Sequence, residues 1–135
     1  MAGYSNTPLQ KKLGIKSGFR IAVLQAPDNY WDLLSPLPES LLVIKKPISR
    51  NLDFVHLFLK ERILLERELL KYKDLIKKEG MIWVSWPKKS SKIPTELDEH
   101  AIREYGLKSG LVDVKICAVD EIWSGLKFVY RLRDR

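Results

Sequence analysis

This chain is poor in the side chains from which most catalytic and metal centres are built. Of its 135 residues one is cysteine, Cys117, and two are histidine, His56 and His100. A disulfide framework is therefore excluded, and no paired His, Cys, Asp or Glu spacing suited to zinc or iron occurs. Long apolar runs are also missing. Phe54 to Leu59 and Ile116 to Val119 fall far short of the roughly 20 residues that cross a bilayer. The opening residues Met1 to Lys12 lack the apolar core of a secretory signal, so the expected compartment is the cytosol. No Gly-x-Ser-x-Gly elbow marks a hydrolytic serine, and no base has an evident route to Ser85, Ser90 or Ser91.

Charge is abundant but dispersed. Lys and Arg number 24 against 17 Asp and Glu, a formal net charge of +7. Lys11-Lys12, Lys45-Lys46, Lys77-Lys78 and Lys88-Lys89 are scattered pairs, none within a run long enough to read as a nucleic-acid arm. Solvated surface lysine is the plain reading. Nucleic-acid binding through Lys88, Lys89 and Lys92 is the alternative, and it would weaken steeply with salt. The length suits one domain, with residues 1–17 as a lead-in and 18–135 as its core.

Phe19 to Gln25 is continuously apolar and β-branched, the pattern of a strand buried on both faces. Ala26-Pro27-Asp28 breaks it, and Asp28 is placed to cap a short amphipathic segment, Asn29 to Leu34, before Pro36 and Pro38. Leu41 to Ile44 and Leu52 to Leu59 read as further strands. From Glu61 to Glu79, Leu65, Leu69, Tyr72 and Ile76 recur at helical spacing, with acids early, bases late and Gly80 as a left-handed cap. Met81 to Trp86 is the next buried strand. Thr95-Glu-Leu-Asp98 is a capping-box variant that opens a helix carrying Leu97, Ala101, Ile102 and Tyr105 on one face and closed by Gly106. Leu111 to Val119 and Leu126 to Arg131 are strands joined by too short a connection to be anything but antiparallel. The fold class is α/β: a single doubly wound, mostly parallel Rossmann-like sheet with a C-terminal antiparallel hairpin.

That order, with Lys16 to Leu24 before the first turn, Leu52 to Phe58 in the middle, Lys78 to Val84 later and a terminal hairpin, resembles a class I S-adenosylmethionine-dependent methyltransferase core lacking one strand-helix unit. Gly3-Tyr-Ser-Asn-Thr-Pro-Leu-Gln-Lys-Lys-Leu-Gly-Ile-Lys16, Trp83-Val-Ser-Trp-Pro-Lys-Lys-Ser90 and Val112 to Lys127 more closely resemble the bacterial domain of unknown function 3052 family. The latter resemblance implies no activity. Relative to the methyltransferase pattern, Gln25 to Asn29 contains no glycine and Lys45 to Ser49 no carboxylate, while Pro27 removes an N–H. Gln25 and Asp28 are the remaining candidates for cofactor contact. An enzyme is therefore not the leading expectation, and neither a cofactor nor a metal is assigned.

Ligands on open α/β sheets lie beyond the carboxyl ends of the parallel strands. That rim collects Gln25 to Asn29, Lys45 to Ser49, Lys60 and Ser85 to Lys89, and if Leu111 to Val119 runs parallel to the earlier strands, Asp120, Glu121, Trp123 and Ser124 join Trp86, Lys88 and Lys89 there. Such a group would hold an anion on lysine and a flat ring on tryptophan. A packing account exists for the same residues: the tryptophans plug the sheet edge against each other, the lysines are solvated and Asp120 caps the turn. Asp120 and Glu121 do not form an acid-base pair, since neighbours on extended chain point to opposite faces. The sequence thus favours a non-catalytic binding or regulatory domain that recognises a small anionic ligand or a protein partner. A methyltransferase with a degenerate cofactor loop is the alternative. The segment Tyr4 to Lys12 reads as a mobile tail, or as a lid where the resembled fold often has one.

Overall fold

A computed structural model describes residues 7–135. In chain order the elements are α1 (Leu9–Leu13), β1 (Arg20–Leu24), α2 (Tyr30–Leu34), β2 (Leu42–Val43), β3 (Leu52–Phe58), α3 (Arg62–Lys73), β4 (Ile76–Pro87), α4 (Glu99–Lys108), β5 (Leu111–Ala118) and β6 (Trp123–Tyr130). The strands form one six-stranded sheet in the order β2-β1-β3-β4-β6-β5. The first four in that order pair in parallel, and β6 is antiparallel to both β4 and β5. Strand β5 therefore points the same way as the parallel strands. This is the doubly wound sheet with one reversed strand that the alternation of elements predicts.

Side-chain alternation along β3 and β4 divides the interior into two cores. On one face Phe54, Phe58 and Trp83 pack with Leu13 of α1 and Tyr30 and Leu34 of α2. On the other, Val55, Leu57, Ile82 and Val84 meet Leu65 and Leu69 of α3 and Ile102 of α4. Burial on both faces is why β1 and β3 are apolar without alternating. The Trp83 indole N–H donates to the Leu13 carbonyl at 2.8 Å, which ties α1 to the middle of the sheet. Residues Leu9 to Lys12 are thus a helix docked on the core, and not a tail. Tyr4 to Asn6 of that expected segment lie outside the described residues. No helix among the described residues is long and apolar enough to cross a membrane.

Three local expectations are corrected. Helix α3 ends at Lys73, and Ile76 to Glu79 belong to β4, where Ile76 pairs with Leu52. Gly80 is accordingly no helix cap. It occupies the irregularity in the β3–β4 register, where an added Cβ would lie 3.0 Å from the Leu52 and Lys77 carbonyl oxygens. The cap of α4 is Asp98, whose carboxylate accepts from the Ala101 N–H at 2.8 Å. Thr95 instead donates to the Lys60 carbonyl at 2.9 Å and accepts from the Leu97 N–H.

Gly106 does not close α4. It lies inside the helix, where an added Cβ would stand 2.1 Å from Cε1 of the buried Phe128 ring. Absence of a side chain lets α4 approach β6. Gly106→Ala gains about 1 kcal/mol of helix propensity, and an overlap that deep in a packed core costs more, on the order of 1–3 kcal/mol or above. The expected outcome is a lower urea midpoint. An equal or higher midpoint would refute the close approach.

Candidate functional site

The order of strands reverses at β1. Its crossover through α2 leads outward to β2, and the chain then returns past β1 to β3. The carboxyl end of β1 is thus a topological switch point, where open α/β sheets hold ligands. Gln25, the first residue after β1, has φ +58°, a left-handed conformation that glycine commonly fills. Asp28 is exposed and does not cap α2. The cap position is Asn29, with no side-chain bond, and the Asp28 carboxylate has no hydrogen bond or ion pair among the described residues. Lys45 and Lys46, just beyond β2, are exposed.

Farther along the same rim, the Lys88 segment and the Trp123 turn do meet. The Lys88 N–H donates to the Ile122 carbonyl at 2.8 Å, and Lys88 Nζ donates to the Asp120 carbonyl at 2.8 Å. Asp120 Oδ1 accepts from the Ile122 and Trp123 N–H groups at 2.9 and 2.7 Å, so this carboxylate closes the turn. Ser124 pairs with Trp86, and Trp123 with Pro87. Lys89 and Glu121 stand exposed beside them.

The tryptophans do not converge. Trp86 is 6% exposed and belongs to the core under α3 and α4, whereas Trp123 faces the α1–α2 side and meets Phe58 edge-on at 5.1 Å. A one-residue offset along the ladder sends them to opposite faces. They neither plug the edge against each other nor form one stacking platform. Of the expected group, Lys89, Glu121 and the partly exposed Trp123 remain free to meet a ligand, while Lys88 and Asp120 hold the turn.

A second opening on this rim separates the β3–α3 turn from the chain preceding α4. It encloses about 570 Å³ and is lined by Lys60, Glu61, Ile93, Pro94, Thr95 and Glu96. Its walls are stapled: the Glu96 N–H donates to the Lys60 carbonyl at 2.8 Å, and Glu96 Oε1 accepts from the Arg62 N–H at the start of α3 at 2.8 Å. This volume is in the range that holds a small molecule. Of these residues the sequence placed only Lys60 on the rim.

One layer below the rim lies a polar chain that the sequence did not disclose. His56 Nδ1 is 2.9 Å from the Tyr30 hydroxyl, and His56 Nε2 is 2.7 Å from Ser85 Oγ, with all three residues at 0% exposure. A neutral imidazole gives its one N–H to one hydroxyl and accepts from the other, so both nitrogens are satisfied. Burial pushes the His56 pKa down to about 3 and the Tyr30 phenol up. A base therefore does reach Ser85, contrary to expectation. The pair is sealed from any substrate, so hydrolysis remains excluded. His100, by contrast, is exposed on α4 beside Glu104 at 3.1 Å.

No protein-family model matches the chain, and no curated protein matches it. Solved structures do. A methyltransferase from Aquifex aeolicus, described as S-adenosylmethionine dependent, superposes with a TM-score of 0.64 at 14% identity, over 89% of this chain and 86% of that one. DhpI, solved as its S-adenosylhomocysteine complex, gives 0.64 at 10% identity over 93% and 83%. A chain of the Haloferax volcanii complex between the Trm112 methyltransferase activator and a methyltransferase gives 0.62 at 10% over 90% and 86%. At such identities the likeness is one of fold. The lean away from an enzyme is corrected by it, because the structures named here that share this sheet nearly end to end are described as methyltransferases or methyltransferase complexes.

Two outcomes follow from the site's geometry. Trp86→Ala should lower stability by about 3–5 kcal/mol, as truncation of a buried indole does, in a denaturant titration; a smaller loss with failed ligand binding would return Trp86 to the rim. His56 is neutral when folded and takes up a proton near pH 6.5 when unfolded, so its contribution is complete above that pH. It is lost as pH falls toward about 3, at up to about 1.4 kcal/mol per pH unit. The wild type should weaken more than His56→Gln between neutral pH and mild acid; parallel profiles would count against the buried neutral ring.

Proposed function

We propose that this chain is a methyltransferase that binds S-adenosylmethionine at the carboxyl end of β1 and an acceptor in the adjoining cavity beyond β3. The observation that carries the reading is the left-handed Gln25 turn at the switch point, with the exposed Asp28 carboxylate, unpaired among the described residues, beside it. The residues present fit such a cofactor in altered form. Gln25 gives the backbone the path that glycine would otherwise supply, and Asp28 offers the carboxylate that is missing after β2. Asp28 would hold the ammonium of the methionine portion by charge and hydrogen bonding. Lys45 and Lys46 would donate to ribose hydroxyl oxygens where other sheets of this type accept from them.

When bound, the cofactor supplies an electrophilic methyl group on a positively charged sulfur. The remaining work belongs to the chain. Lys60, Glu61 and Glu96 present both charge signs around the acceptor cavity, which suits a polar acceptor, and Trp123 closes the rim on the α1–α2 side. The Haloferax volcanii neighbour, solved with an activator protein, makes a protein partner part of this reading. The closer resemblance to the bacterial domain of unknown function 3052 family belongs with it.

Calorimetric titration with S-adenosylmethionine and S-adenosylhomocysteine tests it. Micromolar binding is expected, weakened about tenfold or more by Asp28→Asn, the loss of one charge-assisted contact, and unaffected by Asp32→Asn on the exposed side of α2. No heat with either compound, together with an unshifted melting temperature, would overturn it.

A further inference from the structure

A row of lysines on the α1 face has no counterpart in the site above. Lys115 and Lys127 are direct partners across β5 and β6, and Lys127 is in turn the partner of Trp83 on β4. Directly opposed residues share a face. Trp83 packs on the α1–α2 side, so both lysines stand there, beneath the end of α1. Lys115 Nζ donates to the Lys12 carbonyl at 3.0 Å, and Lys127 Nζ lies 3.8 Å from where a Cβ on Gly14 would be. Lys12 and Lys16 flank that glycine in sequence.

Like charges set opposite each other disfavour folding. None of Lys12, Lys16, Lys115 or Lys127 makes an ion pair among the described residues. Lys127 is held below the usual lysine range by burial and then by its neighbours Lys115 and Lys16. Capping of a carbonyl at the end of α1 accounts for Lys115 and leaves the others unexplained. The positive lining also continues. Beyond Lys16 a groove of about 540 Å³ runs between α1 and the Pro36 to Pro38 segment, with Lys11 on its wall.

We propose that this face is a docking surface for nucleic acid, held through its phosphodiester backbone by Lys12, Lys16, Lys115 and Lys127. A lone phosphate needs donors that converge on one point. These four ammonium groups come from the end of α1, the turn after it, β5 and β6, none of them in an ion pair among the described residues, and four uncompensated cations suit a polymer of repeated negative charge better than one phosphate. The sequence placed such binding at Lys88, Lys89 and Lys92, which follow β4, whereas these four lysines lie on the α1 face. The proposal does not depend on methyl transfer.

The test is fluorescence anisotropy with a labelled oligouridylate and full-length protein, in salt from roughly 50 to 200 mM. Wild type should bind with affinity that falls steeply with salt. A variant combining Lys12→Gln, Lys16→Gln, Lys115→Gln and Lys127→Gln should bind at least about tenfold more weakly at the lowest salt. Its salt slope should be shallower by about 0.7 for each contact removed. A charge-matched variant with Lys71→Gln, Lys78→Gln, Lys108→Gln and Arg133→Gln, all exposed elsewhere, should retain the wild-type slope. Equal losses in the two variants would reduce the effect to net charge and overturn the proposal. So would absence of wild-type binding, or binding to phosphatidylserine vesicles without binding to the oligonucleotide. Should the combined variant melt early, Lys115→Glu against Lys71→Glu decides by the same criterion, with weakening expected only in the former.

Discussion

Tyr30, His56 and Ser85 join a helix and two central strands through hydrogen bonds that no water reaches. Their environment is otherwise apolar, with Phe58 stacked on the imidazole at 4.1 Å and Trp31 edge-on to Tyr30 at 5.2 Å. In such surroundings, removing one partner leaves the others with the full desolvation cost, so the three are present together or not at all. Tyr30 is also the first residue of α2, so the chain that fixes it fixes the end of the turn that begins at Gln25. A left-handed non-glycine residue persists where its surroundings over-determine it. Here β1 holds the turn at one end and the polar chain holds it at the other.

Much of this architecture is legible in the sequence because burial on both faces and burial on one stripe leave different periodicities. Strands β1 and β3 and the first three turns of α3 follow from that contrast. Ile76 misleads because it continues the spacing of Leu65, Leu69 and Tyr72 while its burial comes from β3. Gly80 and Gly106 look like helix ends for a related reason. Glycine signals close approach as readily as left-handed backbone, and only the neighbour, a carbonyl or the Phe128 ring, tells which applies.

The rim is legible to the level of strands and no further. Topology brings Lys88 and Trp123 together, since β5 runs with the parallel strands. Whether Trp86 joins them depends on register, which no local pattern encodes. The same holds for His56 and Ser85, 29 residues apart in sequence and adjacent only once β3 and β4 are aligned. Asp28 misleads in the opposite direction, because a carboxylate before a short helix resembles a cap wherever the backbone permits one, and here the cap position is Asn29.

The placement of β6 has a further consequence. It is the last strand in chain order, yet it lies inside the sheet, bonded to β4 on one side and β5 on the other. During synthesis the chain emerges from its amino end. Until β6 arrives, β4 and β5 each present an unpaired edge. Such edges are templates for misplaced pairing. Closure of the sheet therefore waits for β6. A ribosome that stalls after β5 would release the form of this protein most prone to aggregate.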